Sequence, residues 1–370
     1  MARPARPARP ARPPSPQAES LSELLEDRPS DGEASGLVSL EQIREAAARI
    51  EGVAVRTPLL PVEHAAGRVW LKCESFQPTG AFKLRGAYNF IARLDREERA
   101  RGVITYSSGN HAQAVAYAAR EFGVPATVVM PVDAPPFKLE ATRSFGADVE
   151  LCGTLSTERG ARAHELASAS GSAIVPPFDH PDIIAGQGTV GLELAEQMER
   201  QGVYPSAAAK GEPRVLVPVG GGGLVSGVSA AIGALVGEAR VLGVEPDGAA
   251  SMKRSLEAGG LVTLESVETI ADGLKPVTPG TLTYEHCLAL LEGVLTVSDD
   301  EIRRAVRWCF ARRLVVEPSG AAGVAALLAG RVPAGEGPVI IVISGGSIGW
   351  RRLHGLLLED GELATPAREG

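Results

Sequence analysis

From residue 103 onward, short apolar runs rich in Val and Ile alternate with stretches whose apolar residues recur every three or four positions. The runs cover 103–106, 126–130, 148–152, 173–177, 215–219, 241–245 and 338–344, lengths that suit strands. Helical spacing occupies 110–122, 135–145 and 188–200 between them. Ser39-Leu40-Glu41-Gln42 reads as a capping box, with Leu40, Ile43, Ala47 and Ile50 continuing at helical spacing. A second capping box, Ser298-Asp299-Asp300-Glu301, opens a helix toward Arg313. Strands apolar on both faces, separated by helices, predict an α/β fold of parallel sheets covered by helices.

The first 38 residues break this pattern. Residues 2–13 are four copies of Ala-Arg-Pro, and proline at every third position blocks helix and ladder alike. An acidic, Ser/Gly-rich stretch follows, so 1–38 predicts a disordered tail, with a second tail at 361–370.

Composition narrows the function. The 370 residues carry 37 Lys and Arg against 45 Asp and Glu, a net charge of −8, with no basic stripe for nucleic acid. No apolar run of membrane-spanning length occurs. Cys73, Cys152, Cys287 and Cys309 form no CxxC pair, which points to reduced thiols and a cytoplasmic protein. The N-terminus lacks the apolar stretch of a secretory signal.

The 43 glycines matter through their location. Gly220, Gly221, Gly222 and Gly223 follow the run 215–219 and precede an apolar helical stretch. Strand, glycine run and helix together build an anion-binding loop, because converging N–H groups meet the positive end of the helix. Gly221, Gly223 and Gly227 also fit a relaxed dinucleotide pattern, so a nicotinamide oxidoreductase is a rival reading. A tight turn with close helix packing is the plainer one. A second junction, Ser107-Ser108-Gly109-Asn110-His111, offers hydroxyls, an amide and backbone N–H groups where a carboxylate would be held. A lone lysine such as Lys83 is ordinarily a solvated surface residue. Among small and apolar neighbours and beside two anion sites, it instead suggests a desolvated amine acting on a phosphorylated aldehyde.

These segments resemble one family. Gly80-Ala81-Phe82-Lys83-Leu84-Arg85-Gly86, Ser107-Ser108-Gly109-Asn110-His111, the four glycines, Glu317-Pro318-Ser319-Gly320 and Ser344-Gly345-Gly346 occur in the order seen in serine/threonine dehydratases and serine racemases. Pro177-Phe178-Asp179-His180 and Ala185-Gly186-Gln187-Gly188-Thr189 extend the likeness, which covers about 39–360. The resemblance implies pyridoxal 5'-phosphate as cofactor and a tryptophan-synthase-β-like fold (fold type II) of two open parallel-type α/β domains. A large domain would combine 39–101 with 181–360, and 102–180 would form a small mobile domain. Lys83 would hold the cofactor and take the substrate Cα proton, and Ser108 would protonate the opposite face. Phe82 would pack near the ring, and Asn110 would bond its phenolic oxygen. Gly220, Gly221, Gly222, Gly223 and Leu224 would take the phosphate, Glu317 would line the pocket, and Ser344 would face the pyridine nitrogen. Ser107, Ser108, Gly109, Asn110 and His111 would hold the substrate.

The implied reaction is β-elimination of L-threonine or L-serine to a 2-oxo acid and ammonia, in a homodimer. Racemisation of serine and dehydration of 3-hydroxyaspartate are its neighbours, and Arg143 or Arg313 would have to meet the extra carboxylate of the latter. A non-catalytic ligand-binding descendant is a further alternative, opposed by the retained Lys83. Three positions depart from the family. Ala81 stands where many members carry Ser, and Ser347 replaces Asn. Glu245 and the Ala249 carbonyl match a divalent-cation (magnesium) site, but Ser251 replaces its second carboxylate.

Overall fold

Val339, Ile341 and Ile343 pack on one side of their strand and Ile340 and Val342 on the other, and all five are buried. Two-sided burial of this kind belongs to a parallel strand with helices on both faces. A computed structural model of the chain describes residues 36–64, 67–107, 109–154, 156–204, 211–359 and 362–363. Most of the tail expected at 1–38, most of that at 361–370, and Ser108 lie outside the described residues.

Among the described residues, ten strands build the two main sheets, beside a short pair at Leu358–Glu359 and Glu362–Leu363. In chain order they are β1 (Leu59–His64), β2 (Gly67–Cys73), β3 (Val103–Tyr106), β4 (Ala126–Met130), β5 (Asp148–Leu151), β6 (Ala173–Ile174), β7 (Arg214–Pro218), β8 (Arg240–Pro246), β9 (Gly293–Val297) and β10 (Val339–Ile343). The larger sheet runs β1-β2-β10-β7-β8-β9 and the smaller β5-β4-β3-β6. Every pairing in them is parallel except β1 with β2. One face of the larger sheet meets helices Asp299–Ala311, Pro318–Leu328 and Trp350–Leu357. The other face meets Pro181–Arg200, Gly223–Leu235 and Thr281–Leu290. The smaller sheet packs against Lys83–Arg93 and Asn110–Phe122 on one side and Ser156–Ser170 on the other.

Both expected capping boxes form, at Ser39 with Gln42 and at Ser298 with Glu301. The expected strand 173–177 shrinks to Ala173–Ile174. Pro176 and Pro177 have no N–H to continue the ladder, although Val175 N–H still reaches Ile104 O at 2.8 Å. The helix expected at 188–200 begins earlier, at Pro181, a residue pre-shaped for a first turn. Its glycines are contact points and not breaks: a Cβ on Gly186 would lie 2.6 Å from Gly86 Cα. The antiparallel β1–β2 pair was not anticipated by the alternation further along the chain.

Candidate active site

Three loops gather at the carboxyl ends of β3, β7 and β10, the end of a parallel sheet where ligands bind. The third is fastened to the lysine segment, with Phe82 N–H donating to Ser344 O at 3.1 Å and Ala81 bridging Gly345. Lys83 therefore starts its helix beside the end of β10.

Lys83 is half-buried, and its Nζ donates to Pro177 O at 2.6 Å and lies 5.2 Å from the Phe82 ring centre. Burial lowers its amine to about 8. A useful fraction is thus the neutral, nucleophilic base near neutral pH.

The next residue after Pro177 supports the glycine loop. A Cβ on Gly221 would fall 2.2 Å from the Phe178 ring, and one on Gly223 would fall 3.1 Å from Phe178 Cα. Gly222 has φ +97°, a conformation that side chains resist. Among the described residues, no protein acceptor meets the N–H of Gly220, Gly221 or Gly222. These amides and the start of helix Gly223–Leu235 fit an anion. Gly227, the last glycine of the dinucleotide-like pattern, has another explanation. A Cβ there would lie 2.4 Å from both Gly188 N and Ile184 O, so it serves helix packing.

Asn110 Nδ2 donates to Glu317 Oε1 at 2.6 Å, and both adjoin Gly345, where a Cβ would sit 2.4 Å from that oxygen. Burial pushes the Glu317 carboxyl up to about 7, against the opposing pull of the Asn110 bond and the Lys138 charge. Ser107 Oγ accepts from Gly109 N–H at 3.2 Å, shaping the serine loop, while Ser344 is buried. His111 lies in the first turn of the helix after β3. Its ring is turned into the core with Nε2 3.1 Å from Val175 O, and burial, then the nearby Lys83 charge, lowers it to about 3.

At the expected cation site the Glu245 carboxylate caps the helix that starts at Ser251. Glu245 accepts Met252 and Lys253 N–H at 2.9 Å each, and Ser251 Oγ donates to Pro276 O at 3.2 Å. One carboxylate committed to helix amides does not suit a hard cation, and no cluster of three His, Cys, Asp or Glu exists among the described residues.

A family model described as pyridoxal-phosphate dependent enzyme matches residues 50–345. The chain belongs to the pyridoxal-phosphate dependent enzymes. The buried, partly deprotonated amine of Lys83 and the unpaired amides of the glycine loop fit the aldehyde and phosphate of that cofactor. L-threonine ammonia-lyase of Thermotoga maritima is 42% identical over 317 residues, covering 84% of this chain and 76% of that protein. L-threo-3-hydroxyaspartate ammonia-lyase of a Pseudomonas species is 38% identical over 327 residues, covering 87% and 99%. The solved maize serine racemase superposes with a TM-score of 0.79 at 36% identity, covering 86% of this chain and 96% of that one. This family membership displaces the nicotinamide reading.

Sequence reasoning missed a buried ionic cluster in this pyridoxal-phosphate enzyme, two residues beyond Lys83. Arg85 meets Glu74 through Nε and Nη2 at 2.8 Å each and Glu193 through Nη1 at 2.7 Å. Lys72 donates to the same Glu193 at 2.6 Å. Burial alone would raise Glu74, but the Arg85 guanidinium brings it below the usual carboxylate range. The presence of Arg85 in the lysine segment was the available signal. Arg143 and Arg313 are exposed, whereas Lys138 and Arg352 line a cleft with Glu317, joined through Asp272. No helix among the described residues is long and apolar enough to cross a membrane.

Proposed function

We propose that this enzyme is an ammonia-lyase that dehydrates L-threonine or L-serine to a 2-oxo acid and ammonia. The observation that carries the reading is the buried amine of Lys83, held by Pro177 O beside a glycine loop with unpaired amides. Bound pyridoxal phosphate supplies the electron sink for a carbanion at Cα. Lys83 Nζ, drawn down to about 8 by burial, is suited to accept the Cα proton. Gly220, Gly221, Gly222, Gly223 and Leu224 would hold the phosphate, and Phe82 would flank the ring. Ser344, a buried hydroxyl in place of a carboxylate, would meet the pyridine nitrogen and leave it less protonated, which would favour β-elimination over transamination. Ser107, Gly109 and Asn110 would orient the substrate carboxylate, and the family likeness gives Ser108 the proton transfer on the Cα face opposite Lys83. Glu317, raised to about 7 by burial, can take up or release a proton while its Oε1 accepts from Asn110 Nδ2. The lobe 102–180 closes over the site and excludes water.

The named relatives support hydroxy-amino-acid substrates as a class. A second reading, dehydration of 3-hydroxyaspartate, draws support from Lys138 and Arg352 at the cleft, although Asp272 between them offsets one positive charge. The four unpaired cysteines support a cytoplasmic setting, and the family likeness supports a homodimer, which light scattering tests. The deciding experiment offers L-Thr, L-Ser, D-Ser and L-threo-3-hydroxyaspartate and scores keto acid and chirality together. Keto acid from L-Thr or L-Ser is expected, and Lys83→Ala should lose both turnover and the borohydride-reducible cofactor absorbance. Retention of both by Lys83→Ala would overturn the reading.

A further inference from the structure

We propose that Thr283 is a positioning residue for the cofactor phosphate, turning the Gly222 N–H into the glycine loop by holding the carbonyl of the same peptide unit. The inference rests on the reading that this loop takes the phosphate. Thr283 lies fully buried in the first turn of helix Thr281–Leu290, far in sequence from the loop. Its Oγ1 donates to Gly221 O at 2.7 Å, with Gly280 O a longer alternative at 3.1 Å. A trans peptide unit is planar and its C=O and N–H point in opposite directions. Fixing Gly221 O against Thr283 therefore aims the Gly222 N–H the other way, where no protein acceptor meets it among the described residues.

Packing locks the same arrangement. A Cβ on Gly222 would lie 2.7 Å from Thr283 Cβ, so the threonine closes the outer side of the loop while the Phe178 ring closes against Gly221. Thr283 is itself anchored. Its N–H donates to Asp179 Oδ1 at 3.1 Å, and Thr281 N–H donates to Oδ2 at 3.0 Å. Asp179 adjoins Phe178 and lies two residues from Pro177, whose carbonyl holds Lys83 Nζ. The segment 177–179 thus braces the amine and the phosphate loop at once, with Thr283 as the link to the Gly221–Gly222 peptide.

The test separates this role from general packing. Cofactor-free protein prepared from the holoenzyme is titrated with pyridoxal phosphate and with pyridoxal, which has the aldehyde but no phosphate. Wild type, Thr283→Val and Thr283→Ser are compared. Valine keeps the shape and removes the donor, whereas serine keeps the donor. Thr283→Val should weaken pyridoxal phosphate by about five- to tenfold, the worth of one hydrogen bond, and leave pyridoxal within twofold. Thr283→Ser should restore the preference for the phosphate. Equal losses for both ligands, or no loss for either, would overturn the role of Thr283. A wild type that fails to prefer pyridoxal phosphate over pyridoxal would instead remove the glycine loop as the phosphate site, and the inference with it.

Discussion

The side-chain amide of Asn110 donates to Glu317 Oε1 at 2.6 Å, joining residues 207 positions apart at the cleft between the two sheets. The pair couples the helix start after β3 to the cap of helix Pro318–Leu328.

Glu317 sets a pH dependence opposite to that of an ordinary surface carboxylate. Its folded value of about 7 lies above the unfolded value, so the folded protein prefers the neutral acid. That contribution is fully present below the unfolded value, near 4.3, and is lost as pH rises through about 7. Glu317→Gln should therefore stabilise the cofactor-free protein at pH 8 relative to pH 5, by on the order of 3 kcal/mol. It should also cost about tenfold or more in kcat, because the proton-holding group beside Asn110 is gone. Urea midpoints at the two pH values and initial rates check both.

His111 acts with the other sign. Buried and drawn down to about 3, it is neutral when folded and protonates readily only when unfolded. Its contribution is complete above the unfolded value of about 6.5 and fades as pH falls from there toward 3. His111→Asn keeps a donor for Val175 O and removes the titration. The stability advantage of wild type over this variant should shrink steadily between pH 7 and pH 4.5. A constant difference across that range would contradict the buried neutral imidazole.

Local signals were legible where a residue acts on its near neighbours. Ser39 and Gln42 exchange both capping bonds, at 3.2 and 2.8 Å, as their spacing demands. The helix expected at 110–122 appears with those bounds, flanked by Gly109 and a left-handed Gly123. The glycine loop and the serine loop were visible as chemistry once two-sided strands placed them at strand ends, and Lys83 through its small and apolar neighbours. What stayed hidden depends on distant partners. Arg85 and Lys72 look like surface cations in one dimension and become fully buried through Glu193, more than a hundred residues away. The ring contact of His111 is hidden in the same way, because nothing nearby in sequence announces Val175 as its partner.

The ionic cluster should be costly to break. Arg85 satisfies Glu74 and Glu193 in surroundings where an unpaired carboxylate is strongly disfavoured. Arg85→Met takes away the ion-pair partner of Glu74 and leaves Glu193 to Lys72 alone, and should destabilise the protein by about 3–5 kcal/mol in urea unfolding. Glu74→Gln in the same background should recover part of that loss, since one stranded charge disappears. If the second change instead adds its full single-variant cost, the two residues are not coupled.

Two glycines in one neighbourhood should answer differently to the same methyl group. At Gly233, on the exposed side of helix Gly223–Leu235, a Cβ meets nothing within 4 Å. Gly233→Ala should stabilise by about 0.5–1 kcal/mol through helix propensity and leave cofactor binding unchanged. At Gly221 the new Cβ would overlap the Phe178 ring at 2.2 Å. Either the ring or the loop must give way, and Phe178 is covalently joined to Pro177, whose carbonyl holds the Lys83 amine. Gly221→Ala should thus weaken pyridoxal phosphate more than tenfold while the fold persists, a split that cofactor titration alongside thermal melting reads directly. Equal behaviour of the two variants would mean that close approach of Phe178 to the loop is immaterial to the site.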